Sequence, residues 1–190
     1  MRTVVRSALA PLAAAVLLGS QTSAFAVDYL TVQQAQSQLF AQATQWSEKP
    51  VTLTAEQLSA LGRLAKTEAR SANWKLLHAL DTSGKYLGTV VVDQVIGKYE
   101  LITYAVGVDA TGHVKGIEIL SYRESHGSEI RLPAWRGQFT GKTAAAALKT
   151  GEDIALISGA TLSCNHVTDG VRRIVVLLDV LRSSQQLPLS

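Results

Sequence analysis

From Val27 onward the spacing of apolar positions changes its period twice. In DYLTVQQAQSQLFAQA, Val32, Ala35, Leu39 and Ala43 recur at helical intervals behind Thr31, a hydroxyl residue suited to an N-cap, and the spacing predicts a helix. In TLTAEQLSALGRLAK, Thr54 is followed three residues later by Gln57, the register of a capping box, and Leu58, Leu61 and Leu64 carry a helical period onward. Pro50 lies between these two helices and the polar segment TEARSAN follows the second. From Trp74 the runs WKLLHALD, YLGTVVVDQVI, YELITYAVGVD and HVKGIEILSY are rich in β-branched and aromatic residues. Short punctuation (TSGK, GK, ATG) separates them, which predicts four strands in an antiparallel meander. In the third run Ile102, Tyr104, Val106 and Val108 alternate with Leu101, Thr103, Ala105 and Gly107. One side is bulky and the other small or polar, so one face is expected to meet the helices.

The segment RESHGSEIRLPAWRGQFTGKTAAAALKTGEDIAL has little periodicity beyond a turn near Trp135 to Phe139, and irregular stretches of this length in a folded domain are often functional. A helical stripe then returns: Val167, Val171, Ile174, Val175, Leu178 and Leu181. The expected fold is α+β: an antiparallel β meander packed with N-terminal helices and a C-terminal amphipathic helix. It divides into a helical segment over 27–72 and a sheet-and-helix domain over 73–185.

The first 26 residues follow another logic. Arg2 and Arg6 precede the apolar stretch ALAPLAAAVLLG, and the segment ends in Ala24-Phe25-Ala26, the small-x-small pattern of a signal-peptidase site. The apolar core is shorter than the roughly 20 residues that a spanning helix needs, and it contains Pro11. A cleaved signal peptide at 1–26 and a periplasmic or otherwise exported location are expected; the alternative is an uncleaved N-terminal membrane anchor. Cleavage removes two arginines and no acid, leaving 16 basic and 15 acidic residues. A nearly neutral chain without a Lys/Arg cluster argues against a nucleic-acid partner. The single cysteine, Cys164, can form neither an internal disulfide nor a cysteine cage for a metal.

Chemistry is concentrated before the last helix, in ALISGATLSCNHVTDGVRR. Ser158, Gly159, Ala160 and Thr161 make a small-residue turn into the helix, and Ser163 and Asn165 are both competent to cap it. Free backbone N–H groups and the positive end of the helix dipole would face the same way there, a setting that attracts phosphate. The alternative is that Ser158 and Thr161 cap the helix and nothing more.

These residues resemble the FMN-binding domain family, found in flavin-carrying subunits of sodium-pumping NADH:quinone reductase and Rnf complexes and in small exported redox proteins. SGATLS, Ser158 to Ser163, is similar to the family's Ser/Thr-Gly-Ala-Thr-x-Ser/Thr motif, whose threonine is esterified through the phosphate of FMN. A second block, ESHGSEI followed by PAWRGQFTGK, resembles the family's Glu-x-x-Gly and Gln-Phe-x-Gly-Lys segments. It brings in Glu124, Gly127, Glu129, Ile130, Trp135, Gln138, Phe139, Gly141 and Lys142. The resemblance implies that 73–185 is an FMN-binding domain with Thr161 as the covalent attachment residue. Ser158, Gly159, Ala160, Leu162, Ser163, Glu124, Gly127 and Lys142 would complete the cofactor site. It also implies an electron carrier that is not itself a catalyst, an FAD:protein FMN transferase acting with magnesium, and a membrane-bound electron-transfer partner. Two departures stand out. The family commonly has aspartate three residues before the Ser of the motif, where this chain has Ala155 with Glu152 and Asp153 nearby, and the large complexes anchor the domain by a transmembrane helix that this chain is expected to lack.

Other readings of the same residues remain open here. His126 could contact the flavin or simply be exposed. His166 could act as a base toward Ser163 or Thr161, which would make a hydrolase. Cys164 reads as a buried filler, and Trp135 with Phe139 as anchors of the loop. An exported module of the same fold that binds a ligand or partner without covalent flavin is the main alternative, and Ala155 keeps it in play.

Overall fold

The computed structural model describes residues 27–188, so the expected signal peptide lies outside the described residues. The order is β1 (Val27–Asp28), α1 (Val32–Leu39), β2 (Gln45–Thr52), α2 (Ala55–Ala65), β3 (Asn73–Leu80), β4 (Tyr86–Ile96), β5 (Leu101–Asp109) and β6 (Val114–Tyr122). Two single 3-10 turns, Ser128–Arg131 and Gly137–Phe139, flank the short α3 (Pro133–Arg136), and α4 (Thr161–Ser183) closes the chain. The strands form one antiparallel sheet in the order β1-β6-β5-β4-β3-β2. The α+β meander is therefore present, extended by a strand at each edge.

Both N-terminal helices begin with reciprocal capping boxes, Thr31 with Gln34 and Thr54 with Gln57. Each box satisfies two backbone donors that the helix start would leave orphaned. In α2 the apolar stripe differs from the expected one: Leu61 and Ala65 are buried, Leu58 is half-buried, and Leu64 is 53% exposed. The segment between the helices is also different. QWSEKPVT has no alternation to mark it as a strand, yet it pairs with β3 along its whole length, from Gln45 opposite Leu80 to Thr52 opposite Asn73. Its place at the sheet edge tolerates Pro50, and the exposed Glu48–Lys75 ion pair at 2.9 Å gives that edge charge instead of an apolar surface. Residues 27–72 thus contribute strands to the same sheet as the following domain.

The sheet is covered on both faces, and the alternation in β5 decides which helix goes where. Its bulky side, Ile102, Tyr104, Val106 and Val108, joins the main core with α2 and α4. Its small side, Ala105 and Gly107, receives α1, where Leu39 and Phe40 lie 3.2 Å from the place a Cβ on Gly107 would occupy. The α4 stripe from Val167 to Leu181 is buried throughout. Each such aliphatic side chain contributes about 1.5 to 3 kcal/mol by leaving water. Gly170 lets α4 cross the sheet closely, since any Cβ there would collide with the Tyr104 hydroxyl. Beside it Arg173, 3% exposed, pairs with Asp93 of β4 at 2.9 Å, and the Tyr104 hydroxyl donates to the same carboxylate at 3.1 Å. Burial and the neighbouring Asp93 push the Tyr104 pKa well up, so this hydroxyl stays a donor. Packing and this buried triad set the direction of α4 and hence the place of its first residue. Among the described residues no helix is long and apolar enough to cross a membrane.

Candidate functional site

Strands β4 and β6 run parallel to each other on either side of β5, so Ile96 and Tyr122 lie at the same end of the sheet. Three segments meet there: the Gly97–Glu100 hairpin tip between β4 and β5, the loop leaving β6, and the N-terminus of α4. The helix start is tied to both strands. The Ser163 hydroxyl lies 3.1 Å from the Tyr122 hydroxyl, which donates to the His126 carbonyl, and the His166 Nδ1 lies 2.6 Å from the Ile96 carbonyl. Burial raises the Tyr122 pKa against the Ser163 hydrogen bond, and the Glu124 and Glu129 carboxylates raise it further. The phenol therefore remains protonated and able to donate.

The α4 start has no side-chain cap. Its N-cap is Ala160, and Thr161 is the first helical residue. Neither Ser163 nor Asn165 caps it: both lie inside the helix, Ser163 held by Tyr122 and Asn165 by the Thr150 hydroxyl. The first intrahelical bond is Cys164 N–H to the Ala160 carbonyl at 2.9 Å. The N–H groups of Thr161, Leu162 and Ser163 precede it and have no intrahelical acceptor. The Thr161 side chain is exposed and makes no hydrogen bond among the described residues. An exposed hydroxyl thus stands beside three free donors at the positive end of a 23-residue helix.

A cleft of about 420 Å³ opens at this point, lined by Lys98, Tyr99, Glu124, Ser125, His126 and the run Gly159 to Ser163. Its size suits a nucleotide-sized ligand. Glu124 closes one end. Its carboxylate accepts from the N–H groups of Tyr99 at 2.6 Å and Glu100 at 2.9 Å. Burial opposes its ionisation, but these donors, with the Lys98 N–H and ammonium, hold the carboxyl below its usual range. Lys98 and Tyr99 carry no motif: the sequence pattern puts Lys98 in the turn and Tyr99 at the start of the next strand run, whereas β5 begins only at Leu101 and leaves Tyr99 at the hairpin tip.

The remaining motif residues hold the site without lining it. Gly127 sits in the left-handed region at φ +89, and a Cβ there would fall 2.6 Å from the Tyr122 hydroxyl and 2.7 Å from the Ala160 Cβ. It is a contact between the loop and the helix start, not a wall of the cleft. Trp135 donates from its ring N–H to the Ala155 carbonyl at 2.8 Å, and Gln138 accepts from the Ala155 N–H at 2.7 Å. Trp135 and Phe139 are buried edge to face at 5.1 Å. These side chains clamp the strand of chain that leads into Ser158, which is exposed just outside the cleft.

Lys142 is placed far from the expected phosphate position. Its carbonyl accepts from the Val114 N–H at the opposite end of β6 from Tyr122, roughly 25 Å away at 3.3 Å per strand residue. Its ammonium pairs with Asp153 at 2.8 Å. Asp153 also accepts from the N–H groups of Leu148 and Lys149, which makes it a loop staple and not a replacement for an acid at position 155. His166, held to Ile96, does not face Thr161, and Cys164 is fully buried with its thiol pKa raised by desolvation. Among the described residues His166 forms no hydrogen bond with Ser163 or Thr161.

A comparison with curated proteins finds no match. The crystal structure of Shewanella oneidensis NqrC shares the fold, with a TM-score of 0.50 at 17% identity, covering 76% of this chain and 87% of that one. The model of the FMN-binding domain matches residues 97–176, a span that begins at the hairpin tip, ends within α4 and contains every residue lining the cleft. The donors, the free hydroxyl and the partly apolar cleft fit such a ligand, and residues 97–176 of this chain are similar to the FMN-binding domain.

Proposed function

We propose that the protein is an exported electron carrier that holds FMN by a phosphoester to the Thr161 oxygen. The observation that carries this reading is the uncapped start of α4, where an exposed threonine hydroxyl and three free N–H groups face one cleft. A capping side chain would occupy those donors; Ala160 leaves them for phosphate oxygens. In the attachment reaction the Thr161 oxygen bonds to the phosphorus of the FMN half of FAD, AMP leaves, and the hydroxyl proton is lost to solvent. An FAD:protein FMN transferase with magnesium would supply that step. Once bound, the flavin supplies the electron chemistry and the protein supplies attachment, burial and tuning.

The reading of export rests on the sequence of residues 1–26, where a short apolar stretch behind two arginines ends in Ala24-Phe25-Ala26. A covalent tether suits such a location, where a lost flavin is not easily replaced, and the electron donor would be a membrane-bound electron-transfer protein. The second reading, a module without covalent flavin, is favoured by one residue: Ala155 leaves the approach to the motif without the family's aspartate, and Asp153 is already engaged.

Intact mass after denaturation separates the two. Coexpression with a transferase should give an FMN-sized increment and in-gel fluorescence in the parent and in Ser158→Ala, and neither in Thr161→Val. An unmodified parent beside an active transferase would favour the non-covalent module.

A further inference from the structure

The cleft has two apolar surfaces on opposing elements. Leu162, the residue after Thr161, is 44% exposed on α4, and Tyr99 is 72% exposed at the hairpin tip. A single exposed aromatic is ordinary on a protein surface. This one differs in how it is held. The Glu124 carboxylate fixes the backbone on both sides of it, through the N–H groups of Tyr99 and Glu100, so the ring projects from an anchored tip. The Lys98 ammonium stands 4.9 Å from the ring centroid, which occupies one face of the phenol and leaves the other for a flat partner.

The geometry points to Tyr99 as the residue on which the isoalloxazine ring stacks, with Lys98 behind it and Leu162 on the helix side. The inference rests on the proposed attachment at Thr161, which places the ring within the same cleft. Stacking of this kind is directional, since aromatic faces prefer offset parallel or edge contacts. The Lys98 cation is attracted to the far face of the phenol by the ring quadrupole and keeps that face covered. The bland alternative is that Lys98 and Tyr99 form a local surface pair and the flavin ring lies elsewhere or in water.

The test uses the full flavin-loaded protein, with flavin content measured by absorbance after unfolding. Emission of a flavin stacked on tyrosine is quenched, and unfolding of the same sample restores it. The parent should therefore brighten severalfold on unfolding. Tyr99→Leu, at a position too exposed to disturb the core, should be bright while folded and should show unchanged far-UV circular dichroism and equal flavin content. Tyr99→Trp should stay quenched, because the indole offers a comparable face. If Tyr99→Leu remains as dark as the parent at equal flavin content, stacking on Tyr99 is wrong while attachment at Thr161 stands; the same result is expected if Tyr99 serves a protein partner instead. A parent without covalent flavin overturns the attachment reading and this inference together.

Discussion

The Glu124 carboxylate accepts the Tyr99 N–H at 2.6 Å, so a residue just beyond β6 holds the tip of the hairpin between β4 and β5 over the α4 start. Because the carboxyl pKa is lowered in the fold, its contribution is present above the unfolded carboxylate pKa and is lost as pH falls through the folded value. The tip should therefore be ordered at neutral pH and loosen only in acid, below the ordinary glutamate range. Glu124→Ala should cost about 1 to 2 kcal/mol and Glu124→Gln less, since the amide oxygen still accepts. Amide hydrogen exchange at Tyr99 and Glu100 should quicken in both. Unchanged protection at those two amides would mean that the tip is held by something else.

Gly127 and Gly159 both sit in the left-handed region, at φ +89 and +82, but only Gly127 has neighbours that a Cβ would strike. Gly159→Ala should cost only the backbone preference, about 1 to 2 kcal/mol. Gly127→Ala adds the clash with the Tyr122 hydroxyl and Ala160 and should be clearly worse, with the start of α4 displaced. Denaturant midpoints of the two variants compare them directly. Equal losses would show that the loop yields freely at Gly127.

Lys142 and Asp153 supply a test of what holds the loop as opposed to what binds. Burial works against the Asp153 charge, but the Lys142 ammonium and two backbone donors hold its pKa below the usual carboxylate range. Its stabilisation should persist at neutral pH and fade as pH drops through that lowered value. Lys142→Met should cost about 1 to 3 kcal/mol by leaving the partly buried carboxylate short of a partner, and should leave flavin content in the surviving folded protein unchanged. Reduced flavin occupancy at unaltered stability would return Lys142 to the phosphate.

Where local chemistry writes a pattern, the sequence is legible: the capping register of Thr54 with Gln57, the alternation in β5 and the stripe from Val167 to Leu181 all appear where expected. The misses have a common cause in tertiary placement. QWSEKPVT becomes a strand only because β3 offers it an edge, and nothing in its own periodicity says so. Lys142 stands in a motif beside residues that clamp the site, yet the chain direction carries it to the other end of β6. Tyr99 is the converse case, a residue without a motif that lines the cleft because a turn folds it there.

Ala155 is the position where the sequence departs from the pattern it resembles, and the structure makes its substitution unusually clean. Both its backbone groups are occupied, the N–H by Gln138 and the carbonyl by Trp135, while its side chain faces solvent. Ala155→Asp should therefore leave stability within about 0.5 kcal/mol, as exposed substitutions away from special features do. Any change in flavin loading then reports on recognition by the transferase and not on folding. If an acid at this place helps the transferase engage the loop, Ala155→Asp should raise the fraction modified at limiting transferase, while Ala155→Asn, of nearly the same shape without the charge, should not. Time courses of intact mass for the three proteins give the result, and equal rates would mean that this chain is modified without the acid.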